Sequence, residues 1–96
     1  MKVYLQYWEE SERGWGVRPD GCSLHLDLPS HNNFIDLVYN ERTFHHNVPD
    51  EYDRIVGQPI EVEISENLYN SLLKSKTVRL TEVETRNLIK FKEILL

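Results

Sequence analysis

The alternation of apolar and polar side chains predicts that the first 28 residues form an antiparallel sheet. Val3, Leu5 and Tyr7 recur at every second position of residues 2–8, and this period is typical of a strand with one buried face. The pattern then predicts a polar hairpin loop at residues 9–14, a short strand at residues 15–18, a turn at residues 18–21 and a third strand at residues 22–28. We therefore expect a three-stranded meander at the start of the chain.

The third predicted strand follows the clearest turn signal in the sequence, at residues 18–21. There a proline fixes one corner, an aspartate suits the next, and a glycine continues the chain without steric cost. After the turn, Cys22 is in phase with three inward leucines, whereas Ser23, His25 and Asp27 point outward. A thiol on the inward face is predicted to be buried and inert.

The remainder of the chain alternates between helical and strand periods. Ser30 is a good N-cap for a predicted helix at residues 31–42, whose apolar side chains recur at helical spacing. Residues 43–58 contain proline and glycine and have no regular period, which predicts a long loop. The pattern further predicts a strand at residues 59–64 and a helix capped by Ser65 at residues 66–76. A short strand at residues 77–80 and a C-terminal helix at residues 82–94 complete the chain.

The C-terminal stretch leaves one alternative open. Thr81 and Glu84 have the spacing of a capping box, which favours a helix. Charged and β-branched residues also alternate over residues 78–85, which favours a longer strand. The complete order is βββ-α-β-α-β-α. We therefore predict one compact α+β domain over residues 1–96, with an antiparallel or mixed sheet and its helices on one face.

Composition narrows the function classes. The chain has a formal net charge of −5 and one cysteine, so an intramolecular disulfide is impossible. With no apolar run of signal-peptide length, this predicts a cytoplasmic protein. An acidic surface repels phosphate and no apolar stretch is long enough to span a bilayer, so we expect neither direct nucleic-acid binding nor membrane insertion. The acidic clusters have two interpretations, ordinary solvated faces or imitation of a nucleic acid toward a basic partner.

Catalytic and metal-binding patterns are weak. Ser23, His25 and Asp27 suggest a nucleophile, a base and an orienting group. However, side chains two apart on a strand run nearly parallel, with α-carbons about 6.6 Å apart, whereas a triad needs converging groups. We therefore predict three solvent-facing polar residues and keep, as a lesser hypothesis, a hydrolase that uses His25 with Asp20 or Asp27. The four histidines lack metal-ligand spacing, so we expect no metal and no cofactor.

Aromatic side chains beside an arginine supply the main functional hypothesis. Tyr4 and Trp8 lie on the strand face opposite the predicted core, so a sheet covered on one side would expose them near Trp15 and Arg18. Such a surface is typical of protein-binding hot spots and of platforms on which bases or nucleotides stack. A further interpretation is that the rings fill a second, minor core beneath the 43–58 loop.

The sequence therefore predicts a non-catalytic binding protein that acts through a protein-interaction surface. In size, acidity and lack of a signature motif it resembles small accessory proteins of phages and mobile elements; the resemblance is one of type, and it implies a host factor as partner and an inhibitory role. The alternative is a nucleotide or other small ligand that stacks on an exposed ring while Arg18 holds its phosphate. Self-association is a further hypothesis, since an uncovered sheet needs protection. The candidate binding residues are Tyr4, Trp8, Trp15, Arg18, Asp20, His25 and Tyr52.

Overall fold

A computed structural model describes residues 1–12, 16–40 and 52–96 of the chain. The strands are β1 (Lys2–Glu12), β2 (Gly16–His25), β3 (Tyr52–Ile64), β4 (Thr77–Leu80) and β5 (Ile94–Leu95). The helices are α1 (Leu28–Phe34), α2 (Glu66–Ser75) and α3 (Glu82–Lys90), and α1 continues directly into a π-helical segment, Ile35–Asn40.

The five strands form one antiparallel sheet in the order β4-β2-β1-β3-β5. The predicted α+β class is confirmed. The element order differs from the predicted one in two places: the described N-terminal part has two long strands instead of three short ones, and a fifth strand follows α3. Because β1 is the central strand, its side chains lie in the middle of both faces of the sheet.

The predicted turn at residues 18–21 is wrong, because these residues lie inside β2. On β1, Tyr7 pairs with Cys22 and Glu9 pairs with Pro19, so β2 has one residue more than its partner across this interval. One common type of bulge contains a glycine with positive φ, and Gly21 has φ +75°. The same proline and glycine that favour a turn therefore bend a continuous strand.

A second bulge lies on β3, opposite Gln6. Leu5 pairs with Ile60 and Tyr7 pairs with Val56, which leaves two extra residues on β3. The Gln6 amide fills this gap by donating from Nε2 to the carbonyl oxygens of Val56 and Gly57, each at 3.1 Å. Part of the predicted 43–58 loop is therefore strand, and its residues 43–51 lie outside the described part of the chain.

The core lies between one face of the sheet and the helices α2 and α3. Alternate residues of β1, β2 and β3 pack there with Leu72 of α2, and Leu88 and Ile89 of α3 pack at its margin. The buried members of this core are Val3, Leu5, Cys22, Leu24, Val62, Ile64, Leu72, Leu80 and Ile94. Cys22 is buried as predicted, and burial raises the pKa of its thiol.

The opposite face of the sheet is covered in part by α1, so the predicted placement of all helices on one face holds only for α2 and α3. His31 of α1 is buried against Gln6, whose side chain alternates with the core residues of β1. The helix begins three residues earlier than predicted, since Asp27 is its N-cap and accepts from the amide of Ser30 at 2.8 Å. Asp27 is therefore a capping group and not a member of an outward-facing strand.

The caps of the later helices agree with the sequence pattern. Ser65 accepts from the amide of Leu68, and Thr81 and Glu84 form the predicted capping box. The C-terminal helix ends at Lys90, earlier than expected. Within the described ranges, none of the helices has the length and apolar character needed to cross a membrane.

Candidate functional site

The face that carries the main core continues beyond α3 as an open surface. Tyr7 follows Val3 and Leu5 in the alternation of β1, and it pairs with Val56 of β3. Further along, Ser11 pairs with Val17 and Glu9 with Pro19. Four side chains on this surface are apolar or aromatic and exposed, and we call them the open face: Tyr7, Val17, Pro19 and Val56.

The open face is contiguous and shallowly concave. A groove of about 240 Å³ lies on it and is lined by all four of its residues together with Trp8, Glu9 and Arg18. Val17 is 50% exposed and Val56 is 42% exposed, so together with Tyr7 they form an exposed apolar patch and not isolated surface residues. Adjacent exposed apolar side chains in a concave surface mark an interaction site more often than scattered ones do.

Ion pairs lie beside the open face and fix its charged side chains. Arg54 donates to Glu9 at 2.6 Å, and the two residues pair across β1 and β3. Arg18 donates to one carboxylate oxygen of Glu10 from both Nε and Nη2, at 3.2 and 3.1 Å. In these two pairs each carboxylate is matched by a guanidinium beside the groove, although the chain as a whole is acidic.

Trp8 links this surface to the opposite face of the sheet. Its side chain is only 3% exposed, so the prediction that it lies on an open surface is wrong. The rings of Trp8 and Phe34 are nearly perpendicular, with centroids 6.1 Å apart, and the guanidinium carbon of Arg79 lies 4.8 Å from the centroid of the indole ring. Arg79 also pairs with Asp20 at 3.2 Å, so the bulge of β2 is tied to the indole.

A chain of hydrogen bonds starts at the same indole. Trp8 Nε1 donates to the Ser23 hydroxyl at 2.8 Å, and that hydroxyl lies 2.7 Å from His25 Nε2. His25 Nδ1 lies 2.9 Å from the hydroxyl of Thr77. One proton arrangement satisfies all the groups: Ser23 donates to Nε2 of a neutral imidazole, whose Nδ1–H donates to Thr77.

The protonation state of His25 agrees with that arrangement. The side chain is fully buried, and burial lowers the pKa of His25 to about 4, with the nearby His31 lowering it further in the same direction. The two imidazole rings meet edge to face with centroids 4.8 Å apart. His31 in turn contacts Gln6 at 2.9 Å. These groups form a second, hydrogen-bonded core between the sheet and α1.

The prediction that Ser23 and His25 are solvent-facing is therefore wrong, as is the expectation that their nearly parallel side chains do not converge. Both are buried beneath α1 and in contact with each other. A serine–histidine contact has the spacing of a nucleophile and its base, but both groups are sealed from solvent in this structure. Neither aspartate of the hydrolase hypothesis is shown in contact with His25, since Asp20 pairs with Arg79 and Asp27 caps α1. That hypothesis stays a prediction.

The candidate binding residues divide between three places. Trp8 and Arg18 both line the groove of the open face, but Trp8 is buried and Arg18 is exposed. Tyr4 is partly buried and pairs across β1 and β2 with the buried His25. Trp15 and the side chain of Tyr52 lie outside the described part of the chain.

None of the four residues of the open face is among the binding residues predicted from the sequence. The pattern predicts Tyr7 on the core face of a strand, Val17 in a short strand, Pro19 in a turn and Val56 in a loop. The sequence carries no local signal for their exposure, which depends on the pairing of Val17 and Val56 with β1.

Comparisons with known proteins do not assign this chain to a family. No protein-family model matches the sequence, no curated protein shows significant similarity to it, and no solved structure matches its fold at a significant level.

Proposed function

We propose that this chain is a non-catalytic binding protein that acts through a protein-interaction surface, and that the surface is the open face. The observation that carries the proposal is the cluster of exposed apolar side chains, centred on Tyr7, Val17 and Val56, in a groove on a rigid sheet. When this surface is uncovered, its apolar area is in contact with water. Burial of that area by a partner is favourable by about 25 cal/mol per Å².

The partner that fits this surface is a protein that presents apolar side chains to the groove and polar groups to its rim. Arg18 and Glu10 form an exposed pair there, and Arg54 and Glu9 form a partly exposed one. Rim pairs of this kind contribute orientation more than affinity. The proposal extends to a host factor as partner, as the chain's similarity in type to phage accessory proteins implies.

The nucleotide alternative receives less support from the geometry. Stacking on Trp8 requires a free ring face, but the ring is buried and already in contact with Arg79 and Phe34. Arg18, the proposed phosphate ligand, is held by Glu10. Titration of tryptophan fluorescence with a nucleotide panel tests this alternative, and a saturable response would favour it over the protein surface.

Capture of partners by variant chains tests the proposal. The double variant Val17→Glu/Val56→Glu places two charges on the open face, and we expect it to lose a protein that the unaltered chain retains. Leu73→Glu is the matched control, since Leu73 is similarly exposed, at 46%, but lies on α2. Equal retention by all three chains would overturn the assignment of the surface, as would retention of no protein by the unaltered chain.

A further inference from the structure

The layer formed by α1 and the buried imidazoles beneath it is separate from the main core. Among the described residues, none of the buried members of the main core comes from α1. The main core lies on the other face of the sheet, where α2 and α3 cover it. Detachment of α1 would therefore leave the main core intact.

The side chains of His31 and Phe34 pack α1 against the sheet. His31 donates from Nε2 to Oε1 of Gln6 at 2.9 Å, because the nitrogen of that amide already donates to two carbonyls of β3. The ring of Phe34 lies 6.1 Å from that of Trp8 and 5.4 Å from that of His25, between centroids. A helix of seven residues is not stable by itself in water, so α1 depends on contacts of this kind.

Neutral groups supply the hydrogen bonds of both buried imidazoles. The partners in the described part of the chain are the hydroxyls of Ser23 and Thr77 for His25, and the amides of Gln6 and Asn32 for His31. The two rings also lie edge to face, with centroids 4.8 Å apart. A proton that enters this pair therefore creates a cation beside a second imidazole, with no carboxylate among these hydrogen-bond partners.

Ionisable groups on the surrounding elements are engaged elsewhere or lie at the surface. Those that the described elements contribute are Tyr4 of β1, Asp27 before α1, Asp36 of the π-helical segment, Lys76 before β4, and Arg79 of β4. Asp27 caps α1 and interacts with the charge of Lys76, and Asp36 is exposed. Arg79 pairs with Asp20 and lies on the Trp8 ring.

Acid changes the balance between a covered and an uncovered imidazole at His25. Burial lowers the pKa of His25 to about 4, and the neighbouring His31 lowers it further in the same direction. An imidazole in contact with water has its ordinary pKa near 6.5. As the pH falls below 6.5, a state with His25 uncovered therefore binds the proton first, and its population rises.

We propose that α1 is an acid-released cover, which detaches from the sheet when His25 is protonated while the main core remains folded. Detachment gives the imidazolium access to water, and it also uncovers the indole of Trp8 and the hydroxyl of Ser23, which are buried beneath α1. The device is independent of the open face, because that surface lies on the other side of the sheet.

Hydrogen exchange by NMR tests this release in the unaltered chain, with each rate corrected for the intrinsic effect of pH. We expect the protection of the Trp8 indole N–H and of the His31 and Ile35 amides to fall at least tenfold between pH 6.5 and 4.5. At pH 4.5 the main-core amides of Val3 and Leu72 should remain at least tenfold better protected than those of α1. Equal protection of the two layers, or protection of α1 that does not change with pH, would overturn the proposal.

Histidine variants identify the group that binds the proton. His25→Gln keeps groups that donate and accept but does not titrate, so the protection of α1 should change less than threefold over the same range. The matched control is His45→Gln/His46→Gln, which removes the two histidines outside the described part of the chain and should retain the tenfold fall. A tenfold fall in His25→Gln, or its loss in the control, would contradict the role of His25. The unaltered chain alone decides whether α1 is released.

Discussion

Ser23 Oγ and His25 Nε2 lie 2.7 Å apart, although the two residues are neighbours on one face of the same strand. The contact exists because α1 excludes water from this face, so each polar group must find its partner inside the protein. Trp8 and Thr77 complete the chain at its two ends. These hydrogen bonds join β1, β2 and β4 beneath α1, and His31 of α1 contacts the same face of the sheet through Gln6.

Ser23→Ala should destabilise the fold by about 2 to 3 kcal/mol. The substitution leaves the indole N–H of Trp8 and the Nε2 of His25 buried without their partner, and a buried polar group that loses its partner costs about 1–3 kcal/mol. Ser71→Ala removes an exposed hydroxyl that donates to the Leu68 carbonyl and should cost less than about 0.5 kcal/mol. Urea denaturation of both variants measures the difference. Equal losses of stability would show that the buried hydrogen bonds of Ser23 contribute nothing beyond packing.

Stability should fall as the pH is lowered from about 6.5 to about 4. His25 has its ordinary pKa in the unfolded chain, near 6.5, and a pKa of about 4 in the folded one, so the unfolded state binds the proton first in this window. A shift of this size corresponds to a loss of about 3 kcal/mol by pH 4, and the loss from this group levels off below that pH. Denaturation midpoints across this range measure the slope.

His25→Gln provides the control for that slope. Glutamine can still accept and donate hydrogen bonds among the buried groups, but it does not titrate. The stability of the variant should therefore change less between pH 6.5 and 4.5. The carboxylates with lowered pKa, Asp27, Glu63 and Glu84, lose their stabilisation only as the pH falls below their ordinary values near 4. An unchanged slope in His25→Gln would assign the pH dependence to other groups.

Gly21→Ala should be among the most damaging small substitutions, at about 3 kcal/mol or more. Gly21 has φ +75°, and a β-carbon there would overlap the Leu80 carbonyl oxygen of the neighbouring strand. Gly57→Ala is the matched control, because Gly57 has φ +67° but open space around the position. It should cost only the conformational strain, about 1 kcal/mol. Similar costs at both sites would contradict the close approach of β2 and β4.

Binding of a partner to the open face should depend weakly on salt. The groove is apolar and its rim charges are paired within the chain, so the dissociation constant should change less than about threefold between 0.05 and 0.5 M NaCl. Imitation of a nucleic acid by the acidic clusters predicts the opposite, a steep loss of affinity with salt. The salt series therefore distinguishes the two ways in which an acidic chain can bind a protein.

The elements that could be predicted from the sequence are those decided by local chemistry. The cap at Ser65 and the capping box of Thr81 and Glu84 depend on groups within one helical turn, and both are confirmed. The alternation around Cys22 also predicted its burial, because the side chain is in phase with the leucines of the main core.

The misassigned elements depend on pairing between distant strands. The proline and glycine of residues 18–21 fit either a turn or a bulge, and the long partner strand β1 selects the bulge. Ser23 and His25 resemble solvent-facing residues because they are polar, and their burial becomes evident only once α1 is placed over them. The exposure of Val17 and Val56 likewise follows from where α3 ends its coverage of the sheet, which no local pattern encodes.

Hydrogen exchange of the chain with and without its captured partner tests the role of the open face most directly. We predict that protection on binding concentrates in the amides around Tyr7, Val17 and Val56, on three adjacent strands. Amides of α2 should exchange at the same rate in both states, since that helix lies away from the groove. Protection centred on α2 or on α1, with the three strands unchanged, would contradict the account.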